Sequence, residues 1–225
     1  MIVLVCLESP SPSAASRAAL RLAGTLGDKA EIVVLSAGGA PDSASFELAR
    51  QTSAVGRIVH LQDSAHKDPD FLTLGMVLAE AARHLEARVV VAGEHSDGEG
   101  QGMVPAALAH HLQAPFFARV QAAAWTPPKD GGLQLTIRSG GRLCKVASPL
   151  PVVLTTPPTP DVGTPPSETK PSSAIVEALS LAQLGLDPSR LVPRPSLLGV
   201  RVPAPAGLVQ RRSFDEAARM LLRRR

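Results

Sequence analysis

The stretch that decides the fold is residues 88–93, Arg-Val-Val-Val-Ala-Gly, an apolar run that ends at a glycine. Such a run is typical of a strand buried on both faces of a parallel sheet, because both rows of its side chains lie against helices. Strands that alternate with helices predict a parallel α/β sheet with right-handed crossovers. Similar apolar runs cover residues 2–7, 31–35 and 57–61, and helical patterns cover residues 14–26, 41–55 and 69–85.

The pattern changes after Pro115, where the apolar segments become short. The Gly140-Gly141 pair between two of them is a hairpin signal, so we expect an antiparallel element that extends the parallel sheet. The short strands are predicted at residues 116–124, 133–138, 142–147 and 152–155.

The C-terminal third begins with a segment rich in Pro, Thr and Ser, which predicts a linker or a long surface loop over 156–173. A short helix is predicted over 174–184, and a final helix over 213–222, where Ser213 and Glu216 form a capping box. We therefore expect an α/β domain over residues 1–155 and a C-terminal arm over 174–225.

Composition narrows the class of function. The 225 residues carry a net charge of +3, no Tyr, one Trp and five Phe. So few aromatic rings count against recognition of single-stranded nucleic acid by base stacking. No segment reaches the roughly 18 apolar residues that a membrane-spanning helix needs. Cys6 and Cys144 fit neither a disulfide framework nor a zinc pattern, which favours a reducing, cytoplasmic compartment. We expect neither a nucleic-acid partner nor membrane insertion.

Three loops lie where ligands bind in open α/β sheets, beyond the carboxyl ends of the strands. They are residues 8–13, 36–41 and 93–105. Glycines in the third loop permit close backbone approach, and the helix predicted over 104–112 offers free amides to an anion. The loop is neither a Walker loop nor a GxGxxG turn, so a structural turn and a phosphate cradle both stay open. Asp97 and Glu99 would repel a phosphate unless amides or a nearby cation compensate.

Several segments resemble, in chain order, the beta subunit of electron transfer flavoproteins. The resemblance implies a parallel sheet of the adenine-nucleotide alpha-hydrolase-like, doubly wound type, with an antiparallel extension and a C-terminal arm. It also implies AMP, which is largely structural, and a heterodimer with an FAD-carrying alpha subunit. That complex relays electrons from dehydrogenases such as those of the acyl-CoA type. The matching segments are residues 33–38, 89–101, 105–112, Leu150-Pro151-Val152-Val153-Leu154-Thr155, Leu184-Gly185-Leu186-Asp187 and Ala206-Gly207.

The resemblance further implies a set of cofactor-binding residues. From the residues themselves, the favoured role of Cys6 is that of a small buried hydrophobe, and His95 is favoured as a loop histidine without a ligand. The family's Asn-Pro-Phe-Asp-Glu segment is missing after the first strand, and its recognition loop is reduced to residues 170–178. The implied residues are Cys6, Ala37, Gly93, His95, Ser96, Asp97, Gly98, Gly100, Gln101, Gly102 and Val104.

Two other functions fit the same residues. One is a stand-alone adenine-nucleotide-binding domain of the universal-stress type, which would bind ATP or AMP through residues 93–102. The other is a degenerate paralogue that keeps the heterodimer and carries no nucleotide. No nucleophile and base of defined spacing occur together, and His110 and His111 point in different directions on one helix. We therefore expect a non-catalytic subunit without a metal site.

Overall fold

A computed structural model describes residues 1–7, 12–37, 44–62, 70–95, 102–127, 131–158, 174–188 and 191. Within these ranges the strands of a parallel sheet are β1 (Ile2–Leu7), β2 (Glu31–Ala37), β3 (Val55–Leu61), β4 (Ala87–Gly93), β5 (Phe116–Phe117), β9 (Val152–Thr156) and β10 (Ile175–Leu179). Three antiparallel strands are β6 (Val120–Trp125), β7 (Leu133–Ser139) and β8 (Arg142–Ser148). The described helices are α1 (Ala14–Gly24), α2 (Ala44–Arg50), α3 (Phe71–His84) and α4 (Met103–Leu112).

The large sheet has seven strands in the order β10-β3-β2-β1-β4-β9-β5. Every pair of neighbouring strands is parallel, from β10 with β3 at one edge to β5 with β9 at the other. The predicted α/β class is therefore confirmed. The apolar runs identified its central strands correctly because those strands are covered on both faces.

Alternation along the strands divides the core into two layers. Side chains such as Val3, Val5 and Val91 pack with α1, α2 and the antiparallel strands on one face, which we call face A. Side chains such as Leu4 and Val90 pack with α3 and α4 on the opposite face, which we call face B. Each central strand contributes to both layers, since successive side chains of a strand point to opposite faces.

The antiparallel strands form a sheet of their own, in the order β6-β7-β8. Leu133 and Leu135 of β7 are fully buried in the layer on face A, and Trp125 Nε1 donates a hydrogen bond to the backbone oxygen of Leu26 at 3.1 Å. The antiparallel element therefore adds a second sheet that packs on the first, rather than further strands hydrogen-bonded to its edge.

Two predictions about local structure are wrong. The segment predicted as a helix over 174–184 forms β10, followed by a turn that ends near Gly185. Its β-branched pair Ile175 and Val176 suits a strand, and parallel pairing with β3 over five residues outweighs the weak helical preference of the segment. The strand predicted over 116–124 is broken at Arg119, whose φ of 61° no strand can accommodate.

Smaller differences concern the ends of elements. Helix α2 ends at Arg50 instead of continuing to residue 55, because Val55 already belongs to β3. Asp70 caps α3 by accepting hydrogen bonds from the amides of Leu72 and Thr73, both at 2.9 Å. The helix predicted over 213–222, and most of the loop predicted over 156–173, lie outside the described residues. The division into an α/β domain and an arm stays a prediction.

Candidate functional site

The strand order places a switch point between β1 and β4. From β1 the sheet runs to β2 and β3 on one side and to β4 and β9 on the other. The loops that leave β1 and β4 therefore turn away from each other, and ligands of open α/β sheets bind in the crevice between two such loops. The loop after β4 is the one that the sequence singled out, and its described ends are residues 93–95 and Gly102.

Both described glycines of this loop are required by contacts within the chain. A Cβ atom on Gly93 would lie 3.0 Å from the Ser16 nitrogen and 3.1 Å from the Ala15 Cβ, so Gly93 lets the first turn of α1 approach β4. A Cβ atom on Gly102 would lie 2.5 Å from the Glu94 backbone oxygen, and Gly102 has a φ of +61°. These glycines bring parts of the protein together, whether or not a ligand lies near them.

Glu94, the first residue after β4, is held at the switch point by three contacts. Its amide donates to the backbone oxygen of Thr156 at 2.9 Å. Its carboxylate oxygen Oε1 accepts a hydrogen bond from Arg119 Nε at 3.0 Å and lies 3.9 Å from His95 Nε2. Only 15% of the Glu94 side chain is exposed, against 50% for His95 and 58% for Arg119. An acidic group therefore sits at the ligand edge, next to an exposed cation.

Arg119 is the site residue that the sequence reasoning missed. It lies between β5 and β6. The sequence predicts one continuous strand over 116–124, so Arg119 was expected within a strand and not in a loop. Its left-handed backbone, with a φ of 61°, is rare for a residue with a side chain and costs about 1 kcal/mol. No signal in the sequence predicted this turn, because it depends on β5 joining the parallel sheet while β6 joins the antiparallel one.

Two buried hydroxyl groups near the ends of strands have no hydrogen-bond partner among the described residues. They are Ser36 Oγ on β2 and Thr155 Oγ1 on β9, and each residue is 1% exposed. Ser36 pairs in register with Leu7 on face A, and Thr155 pairs with Ala92 on face B. Buried polar groups in native proteins are nearly always satisfied, so each of these hydroxyls calls for a hydrogen-bond partner beyond the described residues, from the chain itself or from a bound molecule.

The predicted site residues fall into three groups. Cys6, Ala37 and Val104 all pack against the layer on face B. Gly93, His95 and Gly102 lie together near the start of α1: Ser13 Oγ donates to the His95 backbone oxygen at 3.4 Å, and a Cβ atom on Gly102 would lie 3.4 Å from His95 Nδ1. The structure thus places them at one edge of the sheet but divides them between its faces. Outside the described residues lie Ser96, Asp97, Gly98, Gly100 and Gln101.

Cys6 is a half-buried residue on β1, between Leu35 of β2 and Ala92 of β4. Burial raises the pKa of its thiol from 9.0 to about 12, because a thiolate would lose its hydration. The thiol is therefore protonated at neutral pH and does not act as a nucleophile. A contact to a ligand from this residue would involve its backbone or an uncharged sulfur atom.

The described residues contain no group of three or more His, Cys, Asp and Glu side chains that could hold a metal ion. None of the described helices is both long enough and apolar enough to cross a membrane.

The fold and the site together define a class: a doubly wound α/β protein with a switch point between β1 and β4, where the described loop ends carry an acidic group beside an exposed arginine. Residues 3–184 match the family model of the electron transfer flavoprotein domain. Because this match covers most of the chain, the protein belongs to the electron transfer flavoprotein family. A search of curated proteins gives no match to the chain.

Proposed function

We propose that this chain is a beta-type subunit of an electron transfer flavoprotein, which pairs with an FAD-carrying alpha subunit and relays electrons from dehydrogenases in the cytoplasm. The observation that carries the proposal is the family match over residues 3–184, which spans all the described strands except the first residue of β1. Most of the motifs that resemble the beta subunit lie within this range, whereas residues 185–187 and Ala206-Gly207 lie beyond its end. Chemistry at a flavin would belong to the cofactor held by the partner.

The open edge of the antiparallel sheet supports the pairing with a partner. Strand β8 pairs only with β7 among the described strands, so one row of its backbone groups has no described strand beside it. Four successive residues, Arg142 to Lys145, are exposed, and Leu143 is 60% exposed. A free edge strand with an exposed leucine and two cations is suited to a partner surface of acidic and apolar character.

The donor groups at the switch point fit AMP, which we propose as the nucleotide of this chain. Arg119 offers an exposed guanidinium for a phosphate, beside the described ends of the loop after β4. Bound at this edge, AMP would be a structural ligand with no chemistry of its own.

The test is co-expression of the full chain with an alpha subunit of the same family, followed by purification on a tag carried by the alpha subunit. We expect a one-to-one complex with the absorbance of bound flavin and with AMP in the acid extract. A chain that stays monomeric beside folded alpha subunit contradicts the pairing. A complex with flavin but no AMP supports the degenerate paralogue, and an isolated chain that binds ATP supports the stand-alone nucleotide domain.

A further inference from the structure

The ion pair between Glu94 and Arg119 is the least expected feature of the switch-point edge. Arg119 comes from a turn beyond β5 and reaches across the end of β9, since its partner Glu94 also donates its amide to Thr156 of β9. The backbone of Arg119, from which this contact is made, has a left-handed φ of 61°. Strain of this kind clusters at ligand sites, where the surrounding structure holds it in place.

The described contacts of Arg119 involve one side of its guanidinium. Only Nε is engaged, at 3.0 Å from Glu94 Oε1, and the two terminal nitrogens donate to no described residue. The side chain is 58% exposed, whereas the carboxylate that orients it is 15% exposed. The planar guanidinium of arginine holds its donors in a fixed geometry that matches a phosphate. A bond from Nε to Glu94 therefore fixes the direction in which the terminal nitrogens point.

The other described arginine near this edge is committed elsewhere. Arg17, in the first turn of α1, donates from Nη1 to the backbone oxygen of Pro12 at 2.9 Å. Among the described residues, Arg119 is therefore the cation best placed to compensate Glu94. A phosphate could approach this acidic edge only if such a cation compensates the carboxylate.

We infer that Arg119 binds the phosphate of a nucleoside monophosphate at the switch point and that Glu94 is the residue that positions it. The inference rests on the proposed nucleotide function, which it deepens by naming the phosphate contact. Adenosine shares every group of AMP except this phosphate, so the contact predicts tighter binding of AMP than of adenosine and an affinity for AMP that falls with ionic strength.

The experiment is calorimetric titration of AMP and of adenosine into the nucleotide-free full chain, alone and in complex with its alpha subunit. Loss of one charged hydrogen-bonding group weakens binding about 10- to 150-fold, so Arg119→Gln should lose a factor in that range for AMP and change adenosine less than about twofold. Arg119→Lys should restore part of the loss. Glu94→Gln should retain a preference for AMP and alter its size, because the cation remains but is no longer oriented.

The matched control is Arg50→Gln, which removes an arginine from an exposed pair with Glu47 (2.8 Å) in α2 and should leave both affinities unchanged. Equal losses for AMP and adenosine in Arg119→Gln would assign the residue a structural role and overturn the inference. So would a wild-type chain that binds the two ligands equally or binds neither. Formation of the heterodimer is measured separately. A complex that forms but binds AMP and adenosine equally would therefore refute the phosphate contact and leave the proposed pairing standing.

Discussion

Gly75 lies where α3 crosses α4, and its replacement by alanine tests how tightly that crossing is packed. A Cβ atom at this position would lie 2.6 Å from the Ala107 Cβ and 2.9 Å from the Leu108 nitrogen, and the second contact is with backbone that cannot rotate away. Overpacking of this kind costs about 1–3 kcal/mol, whereas alanine in place of glycine favours a helix by about 1 kcal/mol. Because backbone atoms lie within 3.0 Å, the upper part of the overpacking range applies, about 2–3 kcal/mol, and we expect Gly75→Ala to destabilise the protein by about 1–2 kcal/mol.

Urea unfolding followed by circular dichroism measures this change, and a loss of that size lowers the midpoint by roughly 0.5–1 M. Gly24→Ala is the control: nothing lies within 4 Å of a Cβ atom there, at the end of α1, so this variant should be neutral or slightly more stable. Adding Ala107→Gly to Gly75→Ala should not recover full stability, because the contact with Leu108 remains. If Gly75→Ala matched Gly24→Ala, the two helices would not approach each other as closely as described.

Three further predictions concern the partner surface, a buried thiol and a helix cap. Leu143→Asp should weaken the complex with the alpha subunit at least roughly tenfold in a titration, because it places a charge in an apolar contact; Leu72→Asp, 39% exposed in α3, should not. Burial raises the pKa of Cys6 from 9.0 to about 12, so the unfolded chain loses this proton first and stability falls as pH rises through that window. In urea unfolding at about pH 8 and pH 10, Cys6→Ala should therefore lose less stability than the wild type. Asp70→Ala removes the cap of α3 and should cost about 0.5–2 kcal/mol in the same assay, whereas Asp70→Asn should retain most of it.

The parts of the fold that could be predicted are those that are buried on both sides. The central run of β4 is apolar because both of its faces are buried. The strand at 152–155 was expected in the antiparallel element, whereas β9 pairs in parallel with β4 and β5. β10 could not be predicted in the same way. Four of its five residues are exposed, so neither alternation nor a continuous apolar run identifies the strand, and its pairing with β3 joins segments that are far apart in the sequence.

The loop after β4 was predicted in position, but the contacts of its described ends were not. The sequence located the loop after β4, since a glycine directly after a buried strand marks the carboxyl edge of a parallel sheet. It did not predict the pairing of Glu94 with Arg119, because the two lie on different loops and meet only when β5 and β6 separate into different sheets. Contacts between loops depend on the whole topology, whereas apolar periodicity is local.

The glycines also limit how the ligand site can be tested. Gly93 and Gly102 are obvious residues to substitute, because glycine-rich loops approach phosphates closely. However, a Cβ atom on either one would lie 3.0 Å or less from another atom of the protein. A side chain at either residue would displace α1 or the backbone of Glu94, so lost nucleotide binding would not separate a ligand contact from a packing defect. Arg119 is free of this ambiguity, because more than half of its side chain is exposed and its described side-chain bond is to Glu94. A change in the ratio of AMP to adenosine affinity at Arg119 therefore reports on the ligand itself.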